Sequence, residues 1–275
     1  MVSRLAGALV RAILMVLVIA IPSIMLPGVS ADTTQIVALV AIFAAALTFF
    51  EYASIYPGLV EFRDAPPFNR IRYVSLLATI TLLSVLILAR YEATTLTRFV
   101  QVLGGAVAES IDLPYSPVRL LVLMLPADAS AAHIATVRTA AGISYLISLI
   151  TLGYFVIILR TLGWPNAQGG FNVWVNLPTF DPTAGGDVVD RLRRDARFNI
   201  VLGFLLPFLI PAVIKAISSA FTPVTLESPH TMIWTVTAWA FLPASLFMRG
   251  IAMGRIASMI EAKRRHSHVS DYIPA

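Results

Sequence analysis

LAGALVRAILMVLVIAIPSIML, residues 5–26, carries a single charge, Arg11, in twenty-two positions. A helix of that length rises ~33 Å, enough to cross the ~30 Å hydrocarbon core of a bilayer. The run does not alternate apolar and polar residues, so it does not read as a barrel strand. It could imitate a signal peptide. It is long for one and lacks a clean A-x-A end before Pro27 and Gly28. It therefore reads as a retained helix, with cleavage near Ser30 and Ala31 as the alternative.

Five further runs are long enough to span: 34–55, 71–88, 139–159, 200–218 and 232–253. The whole chain of 275 residues is 58% hydrophobic and only 13% charged. These observations predict an all-α, polytopic membrane helical bundle. Residues 1–275 form a single integral membrane domain with about six transmembrane helices, plus short amphipathic helices on the outer and inner faces. The absence of cysteine excludes disulfides, thiolate catalysis and thiolate-held metals.

The charges orient the bundle. With the N-terminus inside, fourteen lysines and arginines fall on the inner side. Five fall outside: Arg90, Arg98, Arg119, Arg138 and Lys215. This bias predicts a plasma membrane protein, of the bacterial inner membrane, with both termini cytoplasmic. The net charge of +5 faces phospholipid headgroups rather than nucleic acid, because the basic clusters at 191–194 and 263–265 flank spans.

Two long connections and a tail interrupt the spans. Segment 90–138 holds apolar pieces of about ten residues, too short to cross. It reads as one or two short helices on the outer face, broken near Pro114 and Pro117, or as a re-entrant insertion. Fusing the pieces into one span would bury Glu109, Asp112 and Arg119 with no clear partner. Segment 160–199 is a cytoplasmic loop. Its first half is rich in helix breakers, yet Phe171, Val173, Trp174, Val175 and Phe180 need cover, which suggests a hairpin or an ordered loop. Its second half reads as an amphipathic helix from Asp187, with Asp187 and Asp190 placed to pair with Arg191 and Arg194. Residues 254–275 form a basic cytoplasmic tail.

Three groups of residues are candidates for a role. Arg11 and Glu51 lie within spans at matching depths, ~9 and ~6 Å from the inner edge. They read as an intramembrane salt bridge, as snorkelling side chains, or as a proton or cation relay through Glu51. Pro207, Pro211 and Pro243 predict kinks in the fifth and sixth spans, either as shape or as a broken helix offering its backbone to a substrate.

The third group is EFRDAPPFNRIR, residues 61–72, an inner turn. Pro66 and Pro67 stiffen it, Phe68 would sit at the headgroup level, and Asn69 can cap the next helix. Glu61 and Asp64 could tie Arg63 or Arg191. With Arg70 and Arg72, and with Asp187, Asp190, Arg191 and Arg194 of the neighbouring helix, this turn forms a candidate inner docking surface.

Other chemistries are weaker. His133 and His230 belong to the outer border and do not form a haem-binding pair. His266 and His268 with Asp271 could catch a metal only loosely. The Gly pairs at 169–170 and 185–186 lack the lysine of a phosphate loop. An enzyme would need a pocket lined by Asp181, Asp187 and Asn199. No catalytic residue, cofactor or metal is predicted. The expected function is a non-catalytic accessory, scaffold or assembly subunit acting through other membrane proteins and lipids. The alternative is a small-solute or ion transporter or channel using Glu51 and the kinked fifth and sixth helices.

Overall fold

The computed structural model describes residues 2–165, 171–181, 183, 185–218 and 224–270, with side chains described within 3–265. Nine helices run through these residues: α1 (Val2–Met25), α2 (Ala31–Ala53), α3 (Phe68–Leu88), α4 (Thr95–Ile111), α5 (Pro117–Leu123), α6 (Ala131–Thr161), α7 (Val173–Asn176), α8 (Val188–Ser218) and α9 (Pro229–Ser270). Among the described residues there is no strand. Six helices, α1, α2, α3, α6, α8 and α9, are long and apolar enough to cross a membrane. The protein is an all-α, multi-pass membrane bundle.

Hydroxyl caps start several of these helices. Ser30, Thr94, Ser116 and Ser130 each accept a hydrogen bond from a first-turn N–H of α2, α4, α5 and α6. Such caps satisfy donors that a helix leaves unpaired at its N-terminus.

The buried core divides in two along the bundle axis. Near the end that holds α4 and α5, Ile80 and Leu83 of α3 pack with Leu121, Met124, Val137, Met232 and Val236. Near the other, arginine-rich end, Phe62, Phe68, Phe155 and Trp164 pack with Leu192 and Met253. Burial is uneven between spans. In the apolar window of α9, 56% is buried, but only 6% in that of α2. The α1–α2 hairpin joins the bundle chiefly through α1 on α3.

The α8 and α9 helices make the most extensive helix pair. A Cβ added to Gly203 would lie 2.7 Å from the Pro243 carbonyl oxygen, so glycine allows this close crossing. The structure corrects two sequence boundaries here. The amphipathic helix from Asp187 and the fifth span are one continuous 31-residue helix. Residues 254–270 of the basic tail are an extension of α9, whose 42 residues run ~63 Å, and 271–275 lie outside the described residues. Glu261 pairs with Arg193 and Asp187 pairs with Arg264 at 2.6 Å, clasping the two helices beyond the spans.

Segment 90–138 forms two helices, α4 and α5, with the break at residues 112–116 beside Pro114 and Pro117. α4 is 17 residues long and packs closely along α6, with the Ala108 backbone 2.6 Å from where a Gly142 Cβ would stand. Asp112 and Arg119, which a single fused span would have left without clear partners, meet each other and Arg138 in this two-helix arrangement. Arg119 Nε lies 2.7 Å from Asp112 and Arg138 Nε 2.9 Å from its other oxygen. These are close ion contacts without aligned hydrogen bonds.

Candidate functional site

The arginine-rich end is organised around the C-terminus of α2. A helix leaves its last carbonyls without donors, and that end carries partial negative charge. Arg63 reaches in and donates to the carbonyls of Glu51 (3.0 Å) and Ser54 (2.8 Å), with its side chain only 4% exposed. Arg4 of α1 adds bonds to the carbonyls of Tyr52 and Ser54. Asp64 accepts from Arg63 at 3.0 and 3.1 Å.

The Glu51 carboxylate faces the opposite need. It accepts the N–H groups of Gly58 (3.1 Å), Leu59 (2.9 Å) and Val60 (2.9 Å). Arg11 meanwhile donates to its own helix, at the Gly7 carbonyl (2.7 Å), and lies over the Tyr52 ring at 4.6 Å. The predicted Arg11–Glu51 salt bridge therefore does not form. Depth alone matched the pair, but the loop N–H groups claim the carboxylate.

The 61–72 turn is ordered, through partners other than those expected. Glu61 takes a two-pronged ion pair from Arg249 of α9 (2.6 and 2.8 Å) and a hydrogen bond from Thr179 (2.6 Å), and so does not reach Arg191. The Phe62 N–H donates to the Asn176 carbonyl (2.7 Å), and the Asp64 N–H to the Asn176 side chain (2.9 Å). Phe62 adopts a left-handed φ of 52°, a strained conformation held by full burial. Phe68 is buried against Phe62 and Phe155. Asn69 does not cap α3. It donates to the Glu61 carbonyl at 2.7 Å, and α3 begins at Phe68 after Pro67. The Pro66–Pro67 peptide bond is cis.

The α8 side of the predicted docking surface is likewise rewired. Asp187 caps α8 through the Val189 N–H (2.6 Å) and holds Arg264 instead of Arg191. That bonding keeps its carboxyl below the usual aspartate range, the Arg264 hydrogen bond contributing most. Arg191 lies over the Phe180 ring at 4.8 Å and donates to the Asp181 carbonyl. Arg194 makes a 3.8 Å contact with Asp195 instead of Asp190. The 61–72 turn and α8 share one buried apolar cluster, to which α8 contributes Val189, Leu192 and Ala196.

Beside this knot lies a groove of about 1390 Å³ between the α1–α2 hairpin and α3, α8 and α9. Its walls are largely apolar, including Val10, Leu14, Leu76, Leu206, Leu242 and Leu246. Arg11, Arg63, Arg70, Arg72 and Arg249 also line it. A smaller polar cavity of about 540 Å³, lined by Arg4, Arg11, Arg63 and Asp64, adjoins it. Arg63 and Arg249 have carboxylate partners, but among the described residues Arg11, Arg70 and Arg72 have none. Arg72 makes only long bonds, to Ser245 Oγ (3.3 Å) and Asn69 Oδ1 (3.4 Å), and stands near the Phe68 and Phe241 rings.

The prolines of α8 are served from within. Pro211 has no N–H to give the Pro207 carbonyl, four residues earlier. Trp239 of α9 supplies it, donating its indole N–H to that oxygen at 3.0 Å. Beside Pro243, Ser148 of α6 donates to the Ala240 carbonyl at 3.0 Å. The helices run on through all three prolines.

The remaining residues weighed for other chemistries are engaged elsewhere. Asn199 donates to the Asp195 carbonyl of its own helix rather than joining Asp181 and Asp187 in a pocket. His133 bonds the Thr225 carbonyl at 2.7 Å, and Lys215 the Leu125 carbonyl at 3.1 Å. No group of three metal-ligating side chains occurs among the described residues. Gly169 and Gly170, and the side chains of His266, His268 and Asp271, lie outside them. Sequence reading missed Arg249, Asn176, Trp239 and the groove. Only Arg249, a lone arginine at a span end, carried any signal.

In comparisons with known proteins, no family model, no curated protein and no solved structure matches the chain.

Proposed function

We propose that this chain is a non-catalytic accessory or assembly subunit that works through contacts with other membrane proteins and with lipid. The membrane is the plasma membrane, the inner membrane of a bacterium, with both termini in the cytoplasm. The fourteen-to-five distribution of basic residues supports that orientation.

The observation that carries the reading is α2. Its stripe toward α1 includes Val37, Ala41 and Ala44, while Leu39 (69% exposed), Ile42 (66%) and Phe43 (72%) face away from the bundle. A span tied to its bundle along one stripe offers the rest of its circumference to neighbours. The polar groups that could have formed a solute path are meanwhile engaged. Glu51 closes a loop, and the Pro207 carbonyl is taken by Trp239.

Transport is the rival reading, and one observation favours it: the groove lined by Arg11 and Arg72, neither of which forms an ion pair among the described residues. It would use those arginines rather than Glu51 or the prolines.

Purification from native membranes in mild detergent tests the main reading. A defined partner chain should co-elute at constant stoichiometry through two unrelated separations. A monodisperse monomer with no retained chain would overturn it.

A further inference from the structure

Arg72 is a permanent charge one turn into α3, about 6 Å along the helix from Phe68, enclosed by Ser245 and the Phe68 and Phe241 rings. A cation so enclosed needs a counter-charge, water or a polar cavity. Of its five N–H donors, two have bonds, both long and both to neutral oxygens. Across the groove, Arg11 spends one donor on a carbonyl of its own helix. Arg11, Arg63 and Arg72 all line this groove, and Arg11 lies over the ring of Tyr52, which also lines it. The acids that line the two cavities, Glu61 and Asp64, are taken by Arg249 and Arg63. The cavity wall therefore has surplus positive charge and unused hydrogen-bond donors.

Beyond the arginines the groove is apolar, and it exceeds the roughly 300–1,000 Å³ usual for small-molecule pockets. Leu14 and Met15 of α1 form one side, and Leu206 of α8 with Leu242 and Leu246 of α9 the other. α1 packs well on α3 but only marginally on α9, so the groove has an edge between α1 and the α8–α9 pair. A cationic end joined to a long apolar slot inside a membrane bundle matches an amphiphile with an acidic head.

We propose that the groove binds a membrane phospholipid with a net-negative headgroup, its phosphate held by Arg11 and Arg72 and an acyl chain laid along Leu14, Leu242 and Leu246. The lipid enters sideways from the leaflet on the arginine-rich face. Guanidinium groups suit this task, since their planar forks match phosphate oxygens. The site rests on the groove, not on α2, and stands whether or not α2 carries a partner.

Native mass spectrometry of the full chain, loaded from vesicles of phosphatidylglycerol and phosphatidylcholine in equal parts, tests it. The wild type should retain phosphatidylglycerol preferentially. Arg72→Gln should reduce that retention by about fivefold, the effect of one basic residue at a headgroup. Arg90→Gln, at the opposite end of α3, should leave it unchanged. Leu242→Trp fills the slot without touching charge, and should reduce retention of both lipids even if Arg72→Gln fails to fold. Equal retention of the two lipids by the wild type would overturn the proposal, as would undiminished phosphatidylglycerol in Leu242→Trp. Inorganic phosphate that stabilises the protein as well as phosphatidylglycerol does would also overturn it, by marking a site for a free anion.

Discussion

The indole N–H of Trp239 in α9 donates to the carbonyl of Pro207 in α8 at 3.0 Å, the same carbonyl that Pro211 leaves without a helical donor. Two residues on different spans thus complete one backbone hydrogen bond. In hydrocarbon an unmet carbonyl is costly, so this bond ties the proline pair to the α8–α9 interface.

Trp239→Phe should destabilise the protein by about 1–3 kcal/mol, because it strands a buried acceptor. Pro211→Ala restores an N–H at the right position, so the double variant should recover part of the loss. Unfolding in detergent, run as a double-mutant cycle, checks this. Strict additivity of the two changes would refute the pairing.

Glu51 holds a loop, not Arg11. Glu51→Ala should cost about 2 kcal/mol through the freed N–H groups of Gly58, Leu59 and Val60. Limited proteolysis should then find new cleavage between 54 and 60. Arg11→Ala should not interact with it, with a coupling energy within about 0.5 kcal/mol. A larger coupling would restore the salt bridge.

Arg249 anchors the 61–72 turn to α9. Arg249→Ala should lower stability by about 2 kcal/mol, between the values for exposed and fully buried pairs. Arg249→Lys should recover little, since an ammonium cannot make the two-pronged contact to Glu61. Thermal unfolding of the three proteins in one detergent gives the order.

The α8–α9 clasp should be acid-sensitive. The Asp187 carboxyl is held below its ordinary value of 3.8 by Arg264 and by the Val189 N–H. Below that value the unfolded state binds more protons than the folded state, so stability falls as pH falls. The clasp is intact above the ordinary value and is lost as pH drops through the depressed one. Hydrogen exchange around 255–264 should accelerate in that acid window, and Arg264→Gln should weaken the dependence, leaving the part due to the backbone N–H groups.

Much of this architecture is legible in the residues. Long uncharged runs specify spans because length and apolarity suffice, whereas the Ser30 and Ser130 caps start α2 and α6 ahead of the apolar runs read from 34 and 139. Partner choice is not legible in the same way. Glu51 and Arg11 share a depth, but depth says nothing of azimuth, or of loop N–H groups that compete locally. Asp112 meets Arg138 only because α4 folds back along α6. Phe68 sits beside charges in sequence, yet Phe155 and Trp164 arrive from another helix and loop to bury it. The basic residues after Arg255 suggest a tail, whereas contact with α8 extends the helix.

The central claim is that α2 presents a partner-bearing face. A photo-crosslinking amino acid at Phe43, compared with one at Val201 on the exposed face of α8, tests it in native membranes. The account predicts one protein adduct of defined mass from position 43 and lipid adducts from position 201. Lipid adducts alone from both positions would contradict it.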